Sequence, residues 1–242
     1  MGRKGKMLDA QLNSTYLSET ITVKWYQPEA FTPLNKYHVC IMQDGDDYFQ
    51  LGRVATLSDQ LHEDGEIEDT IFVGIHYKDR YDRQDKYHPT GSKQHAYMQF
   101  LIREVVPFLN EKIPNLHLGG SRTLMGDSLA GTLGLMTALN YPHTFGKVIM
   151  QSPYVDEDVL QSVREAKYFD NISIYHTIGN KETAVNTTAG DTKDFLGPNR
   201  ELKQLIEQSN SLYHYHELDG NHTWKYWQKD LPRALVTMFG WN

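Results

Sequence analysis

Seven short stretches, at 21–26, 37–43, 70–76, 122–126, 147–152, 172–178 and 212–218, are apolar or β-branched enough to read as strands. Six others, at 48–62, 94–112, 128–139, 156–165, 195–208 and 224–238, carry helical patterns. The stretch 70–76 is apolar at nearly every position, the mark of a parallel strand covered on both faces. Strands alternating with helices predict an α/β fold, an open and mostly parallel sheet with helices on both sides. Ligands in such sheets bind beyond the carboxyl ends of the strands. Two polar loops, 77–93 and 180–194, follow predicted strands and are expected at that end. The whole of 1–242 is expected to form one domain, with 1–18 as a frayed N-terminal segment.

Charge narrows the function. With 24 Lys and Arg against 31 Asp and Glu, the chain carries a formal net charge of −7. That argues against nucleic-acid binding, which needs clustered cations to neutralise phosphates. The one basic cluster is Arg3, Lys4 and Lys6. The single cysteine, Cys40, sits in an apolar predicted strand and reads as a buried structural thiol. No apolar run is long enough to span a membrane and no secretory signal is recognised, so the cytoplasm is the expected compartment. Homodimer formation is left open.

The sharpest local signal is Gly126-Asp127-Ser128-Leu129-Ala130-Gly131, between a predicted strand and an apolar predicted helix. It resembles the Gly-x-Ser-x-Gly nucleophile elbow, with Ala130 in the second glycine position. A strand turning abruptly into a helix needs small residues on either side of the serine, and alanine satisfies this nearly as well as glycine. The alternative is a serine capping a buried helix. A dinucleotide loop is rejected, because glycines 126, 131 and 134 have the wrong spacing.

A serine hydroxyl is a weak nucleophile and needs a base. In this fold the order is serine, acid, histidine. His222 lies in the turn-forming Asp219-Gly220-Asn221-His222, between the last predicted strand and helix, where a base can hang over the sheet edge. His214 and His216 share one strand face and read as core or surface residues, or as a metal pair without a third ligand. Glu182, just past the strand 172–178, is the leading acid; Asp191 and Asp194 are reserves. Leu129 N–H is one expected oxyanion donor. Asp46 N–H is the other, with Gly45 expected to supply the unusual turn. The acidic run Asp44 to Asp47 does not make an EF-hand loop.

Asp44-Gly45-Asp46, the elbow, Tyr141-Pro142-His143-Thr144-Phe145-Gly146 and Gly220-Asn221-His222 together resemble the putative esterase family of α/β hydrolases. That family holds the esterase D-like enzymes, the enterochelin (trilactone siderophore) esterases and the mycolyltransferases. The likeness runs from about 21 to about 235. It implies an α/β-hydrolase fold, with Ser128, His222 and Glu182 as catalytic residues and Asp46 and Leu129 as oxyanion donors. The segment around Arg80, Arg83 and Tyr87-His88-Pro89 resembles the siderophore-esterase branch. Arg80 and Arg83 are therefore expected to bind substrate; Trp224, just beyond His222, is expected to line the pocket and bind it too, with Trp227 in the core.

The reading is a serine carboxylesterase acting on small-molecule esters, without metal or cofactor. A trilactone siderophore esterase is the alternative within the class. A catalytically inactive binding module is the alternative outside it.

Overall fold

The structure, a computed structural model, describes residues 2–241. Its strands run in chain order as β1 (Lys6–Ser14), β2 (Glu19–Gln27), β3 (His38–Gln43), β4 (Thr70–Ile75), β5 (Arg122–Asp127), β6 (Lys147–Gln151) and β7 (Ser173–Gly179). A small hairpin, β8 (Val185–Asn186) and β9 (Thr192–Lys193), stands apart, and β10 (Tyr213–Leu218) returns to the main sheet. The sheet order is β1-β2-β4-β3-β5-β6-β7-β10. From β4 to β10 all pairings are parallel, while β1 and β2 enter antiparallel.

The helices are α1 (Gly45–Gln50), α2 (Val54–Glu63), α3 (Arg80–Tyr87), α4 (Gln94–Phe100), α5 (Val106–Lys112), α6 (Leu129–Asn140), α7 (Glu157–Glu165), α8 (Leu196–Ile206) and α9 (Trp224–Phe239). Alternation along each central strand divides the core in two. Val39, Ile41, Leu124, Val148, Met150 and Ile174 join one buried cluster. Cys40, Met42, Met125, Ile149 and Tyr175 join the other, under α2 and α9. Helices on both faces are what continuous apolar strands require.

Four expectations need correction. The segment 1–18 is not frayed throughout, because Lys6–Ser14 pairs residue for residue with β2. Its alternating exposure, with only Ser14 fully buried, hides it from an apolar-run search. The predicted helix 48–62 is two helices. Leu51 and Gly52 N–H groups both turn back to the Asp47 carbonyl, and Arg53 is left-handed at φ 54°. The run 94–112 is interrupted by a π-turn at Leu101–Val105, just before Pro107, which lacks the N–H that a continuing helix needs. The polar segment 77–93 contains α3, capped by Asp79, whose carboxylate accepts from Tyr81 and Asp82 N–H groups.

A buried polar network fixes α8 against β7. His176 on β7 is fully buried; its Nε2 lies 2.7 Å from Asn199 Oδ1 and its Nδ1 2.8 Å from the Tyr213 hydroxyl. Asn199 spends its amide N–H groups on the carbonyls of Pro153 and Phe195, so Nε2 of His176 is the donor to Asn199 Oδ1. Burial pushes the His176 pKa down from 6.5 to about 4. A depressed histidine stabilises the fold fully above its unfolded value, and this stability is lost as pH falls from 6.5 towards 4. The loss is on the order of 3 kcal/mol. Urea unfolding between pH 7.5 and 4.5 is expected to show this fall in the wild type and a shallower one in His176→Gln. Equal slopes would remove the histidine from the account.

Candidate active site

The residue joining β5 to α6 is Ser128, at φ 51° and ψ −127°, outside the regions that side chains favour. The elbow is held by backbone bonds. Ser128 N–H donates to the Gln151 carbonyl at 2.9 Å, and its own carbonyl accepts from Thr132 and Tyr154 N–H groups. Gly126 explains the small residues: a Cβ there would collide with the backbone of Ala130. Ala130, fully buried, fits the second position as expected.

Ser128, Leu129 and His222 line one cavity of about 260 Å³ at the carboxyl end of the sheet. Glu182 lies behind the histidine and is buried. Its Oε2 is 2.6 Å from His222 Nδ1, and its Oε1 accepts from Ser152 Oγ at 2.6 Å and from Gly179 N–H at 2.8 Å. The imidazole packs edge-on against Phe195 at 4.6 Å and Trp227 at 4.9 Å between ring centres. Neither reserve acid holds the histidine. Asp194 accepts from Gly197 N–H at the start of α8, and Asp191 is exposed on the β8–β9 hairpin, bonded to Thr187. His214 and His216 sit on the edge strand β10, outside the cavity lining. Among the described residues no group of three or more His, Cys, Asp or Glu side chains is placed to hold a metal ion.

Asp46 is the second residue of α1, where an N–H has no carbonyl partner within the helix. Its carboxylate is turned onto Lys24 of β2, 2.6 Å from Nζ, and its neighbours Asp44 and Asp47, not Asp46 itself, line the cavity. The unusual turn belongs to Asp44, left-handed at φ 57°, rather than to Gly45. Gly45 is needed for close approach instead, since a Cβ there would press into the backbone of Gly74 on β4.

The three expected substrate-binding residues part company. Arg80 is exposed and lines the cavity, its guanidinium 4.7 Å from the Tyr81 ring centre. Arg83 also lines it but is buried, with its Nε and Nη2 bonded to Asp44. Trp224 does not line the cavity: it packs edge-on against Tyr48 at 4.8 Å in the core cluster beneath α9. Trp227, one helical turn on, is both buried and at the cavity wall, where its indole N–H donates to Ser152 Oγ at 2.9 Å. Ser152, left-handed at φ 48° just after β6, is the residue that sequence reasoning missed. Its only signal is its place one residue past a strand adjoining the nucleophile strand.

The acidic residues Asp44, Asp47 and Asp127 line the cavity. Burial, then the neighbouring Asp44 charge, raise the Asp127 carboxyl well above the ordinary range, with Arg83 opposing. Burial and Asp44 also raise Asp47. Burial raises the Tyr77 hydroxyl to about 12.

A strained serine at a strand–helix elbow, with a histidine and a buried carboxylate at the same end of a parallel sheet, is the arrangement of an α/β hydrolase. The chain belongs to the putative esterase family, whose model matches residues 14–238. It is 47% identical over 236 residues to the uncharacterized protein YjcH of Bacillus subtilis (strain 168), covering 98% of each chain. Among solved structures, a ferulic acid esterase superposes with a TM-score of 0.82 at 18% identity, over 98% of each chain. The enterobactin esterase of Shigella flexneri, in the presence of enterobactin, gives 0.82 at 17% identity over 96% of this chain and 58% of that one. The α/β-hydrolase fold expected from the sequence is the observed one.

Proposed function

We propose that the chain is a serine esterase. The observation that carries this is the 2.6 Å contact from Glu182 to His222 Nδ1, with His222 and the strained Ser128 lining one cavity. Glu182 holds Nδ1 protonated, leaving Nε2 free to accept the Ser128 proton. Ser128 Oγ then attacks the ester carbonyl, and the oxyanion takes N–H bonds from Leu129 and Asp46. Collapse expels the alcohol, which takes its proton from His222. Water, deprotonated by His222, cleaves the acyl-enzyme and releases the acid, restoring Ser128. No cofactor enters this cycle.

A second reading, a trilactone siderophore esterase, is favoured by the cations at the cavity mouth. Arg80 and Lys193 both line it, and the Lys193 ammonium donates to the Tyr154 hydroxyl at 2.9 Å. The likeness in fold to an enterobactin esterase points the same way. The two are separated by comparing kcat/KM for 4-nitrophenyl acetate and for a catecholate trilactone. General esterase action predicts turnover of the aryl ester at least equal to that of the trilactone; a preference of about a hundredfold for the trilactone would establish the second reading. Turnover of neither would sink both.

A further inference from the structure

Arg83 is an unusual lining residue, because its Nε and Nη2 donors are turned into the protein. Nε lies 3.1 and 2.9 Å from the two Asp44 carboxylate oxygens, and Nη2 lies 2.6 Å from Oδ2. The same Nη2 reaches the Asp127 carbonyl at 3.4 Å. The rings of Tyr77 and Tyr87 flank the guanidinium at 5.7 and 5.8 Å. Burial works against the Arg83 charge, but the Asp44 carboxylate outweighs it and keeps the arginine ionised.

The two ends of this bridge have one thing in common. Asp44 leads into Gly45-Asp46, and Asp127 leads into Ser128-Leu129. Each segment carries one of the proposed oxyanion donors. β3 and β5 are neighbours, but their ladder ends at the pair Met42 and Met125. Beyond it the two backbones leave the sheet through left-handed residues, Asp44 and Ser128, with no β-ladder between them. The Arg83 guanidinium spans the two segments there. A buried ion pair adds little net stability but fixes geometry where its fork is satisfied.

We propose that Arg83 is a positioning residue that sets the separation of the Asp46 and Leu129 N–H donors, rather than a substrate-binding residue. This rests on the serine-esterase reading. The guanidinium ties the oxyanion loop to the nucleophile elbow from outside the reacting atoms. A misplacement of about 1 Å at such donors costs about a hundredfold in rate. Lysine keeps the charge but cannot grip both segments with one planar fork.

The test is Arg83→Lys together with the charge-neutral double variant Arg83→Met/Asp44→Asn, assayed on 4-nitrophenyl acetate. Folding is checked by circular dichroism, and affinity for an aryl trifluoromethyl ketone is measured, because its serine adduct places an oxyanion between the two donors. Variants that fold are expected to lose about a hundredfold in kcat with KM within about twofold of wild type, and to lose ketone affinity in parallel. A folded Arg83→Lys protein with kcat within twofold of wild type overturns the proposal. So does a rise in KM alone, which would return Arg83 to substrate binding. If Arg83→Lys does not fold, the double variant decides by the same measures; if neither folds, the pair is a stability element and the proposal falls. Failure of the esterase reading is distinct, since the wild type itself would then show no turnover and form no ketone adduct.

Discussion

Ser128→Ala is expected to lose ester turnover by at least about 10⁴-fold while keeping its fold. The loss follows from removing the atom that the proposed mechanism uses to form the acyl bond; what remains is the residual effect of oxyanion donors and binding. The fold survives because the structural work at this position is done by the backbone. The bonds from Ser128 N–H to Gln151 and from its carbonyl to Thr132 and Tyr154 are unchanged by losing Oγ. Alanine carries the same cost as serine at φ 51°, so no strain is added. The check is kcat/KM for 4-nitrophenyl acetate beside a thermal melt. A variant within tenfold of wild type would take the nucleophile role from Ser128.

Glu182→Gln carries the second largest effect, a fall of about 10³- to 10⁴-fold in kcat. The reason lies in the tautomer. The carboxylate accepts from three directions: Ser152 Oγ, Gly179 N–H and His222 Nδ1. Glutamine can keep Oε1 as the acceptor for the first two, which leaves its amide NH₂ facing Nδ1. That nitrogen must then become an acceptor, so the ring proton moves to Nε2 and the base cannot take the Ser128 proton. Turning the amide the other way restores Nδ1 but breaks the Ser152 and Gly179 bonds, at about 1–3 kcal/mol for buried groups left unpaired. Either outcome shows in a pH–rate profile and a urea titration. A Glu182→Gln enzyme within tenfold of wild type would mean that Ser128 and His222 work as a dyad.

The parts of this molecule that could be read from sequence are those where one residue type satisfies one local demand. Continuous apolar runs such as Thr70–Ile75 read as central strands covered on both faces. Gly126 and Ala130 marked the elbow because a close strand–helix approach admits nothing larger. The unread parts share a different physics. Helix α3 buries Asp82, Arg83 and Lys86, each paired, so its inner face shows no apolar period; Lys86 meets Asp82 at 2.7 Å and Glu19 at 2.6 Å. Its cap at Asp79 was the available signal. Trp224 and Trp227 lie on one helix, and only tertiary packing decides that Tyr48 claims the first and the cavity the second. Ser152 gains its place through a left-handed turn that nothing in its neighbours announces. Long-range partners, polar for α3 and Ser152 and aromatic for Trp224, are the common element in these three misses.

The most direct measurement of the central claim is intact-mass labelling of the folded protein with a fluorophosphonate probe, followed by peptide mapping. A nucleophile activated by His222 and served by two oxyanion donors predicts one adduct per chain, located on Ser128 and absent from the Ser128→Ala variant. No adduct on the folded protein, or an adduct at another residue, would contradict the account.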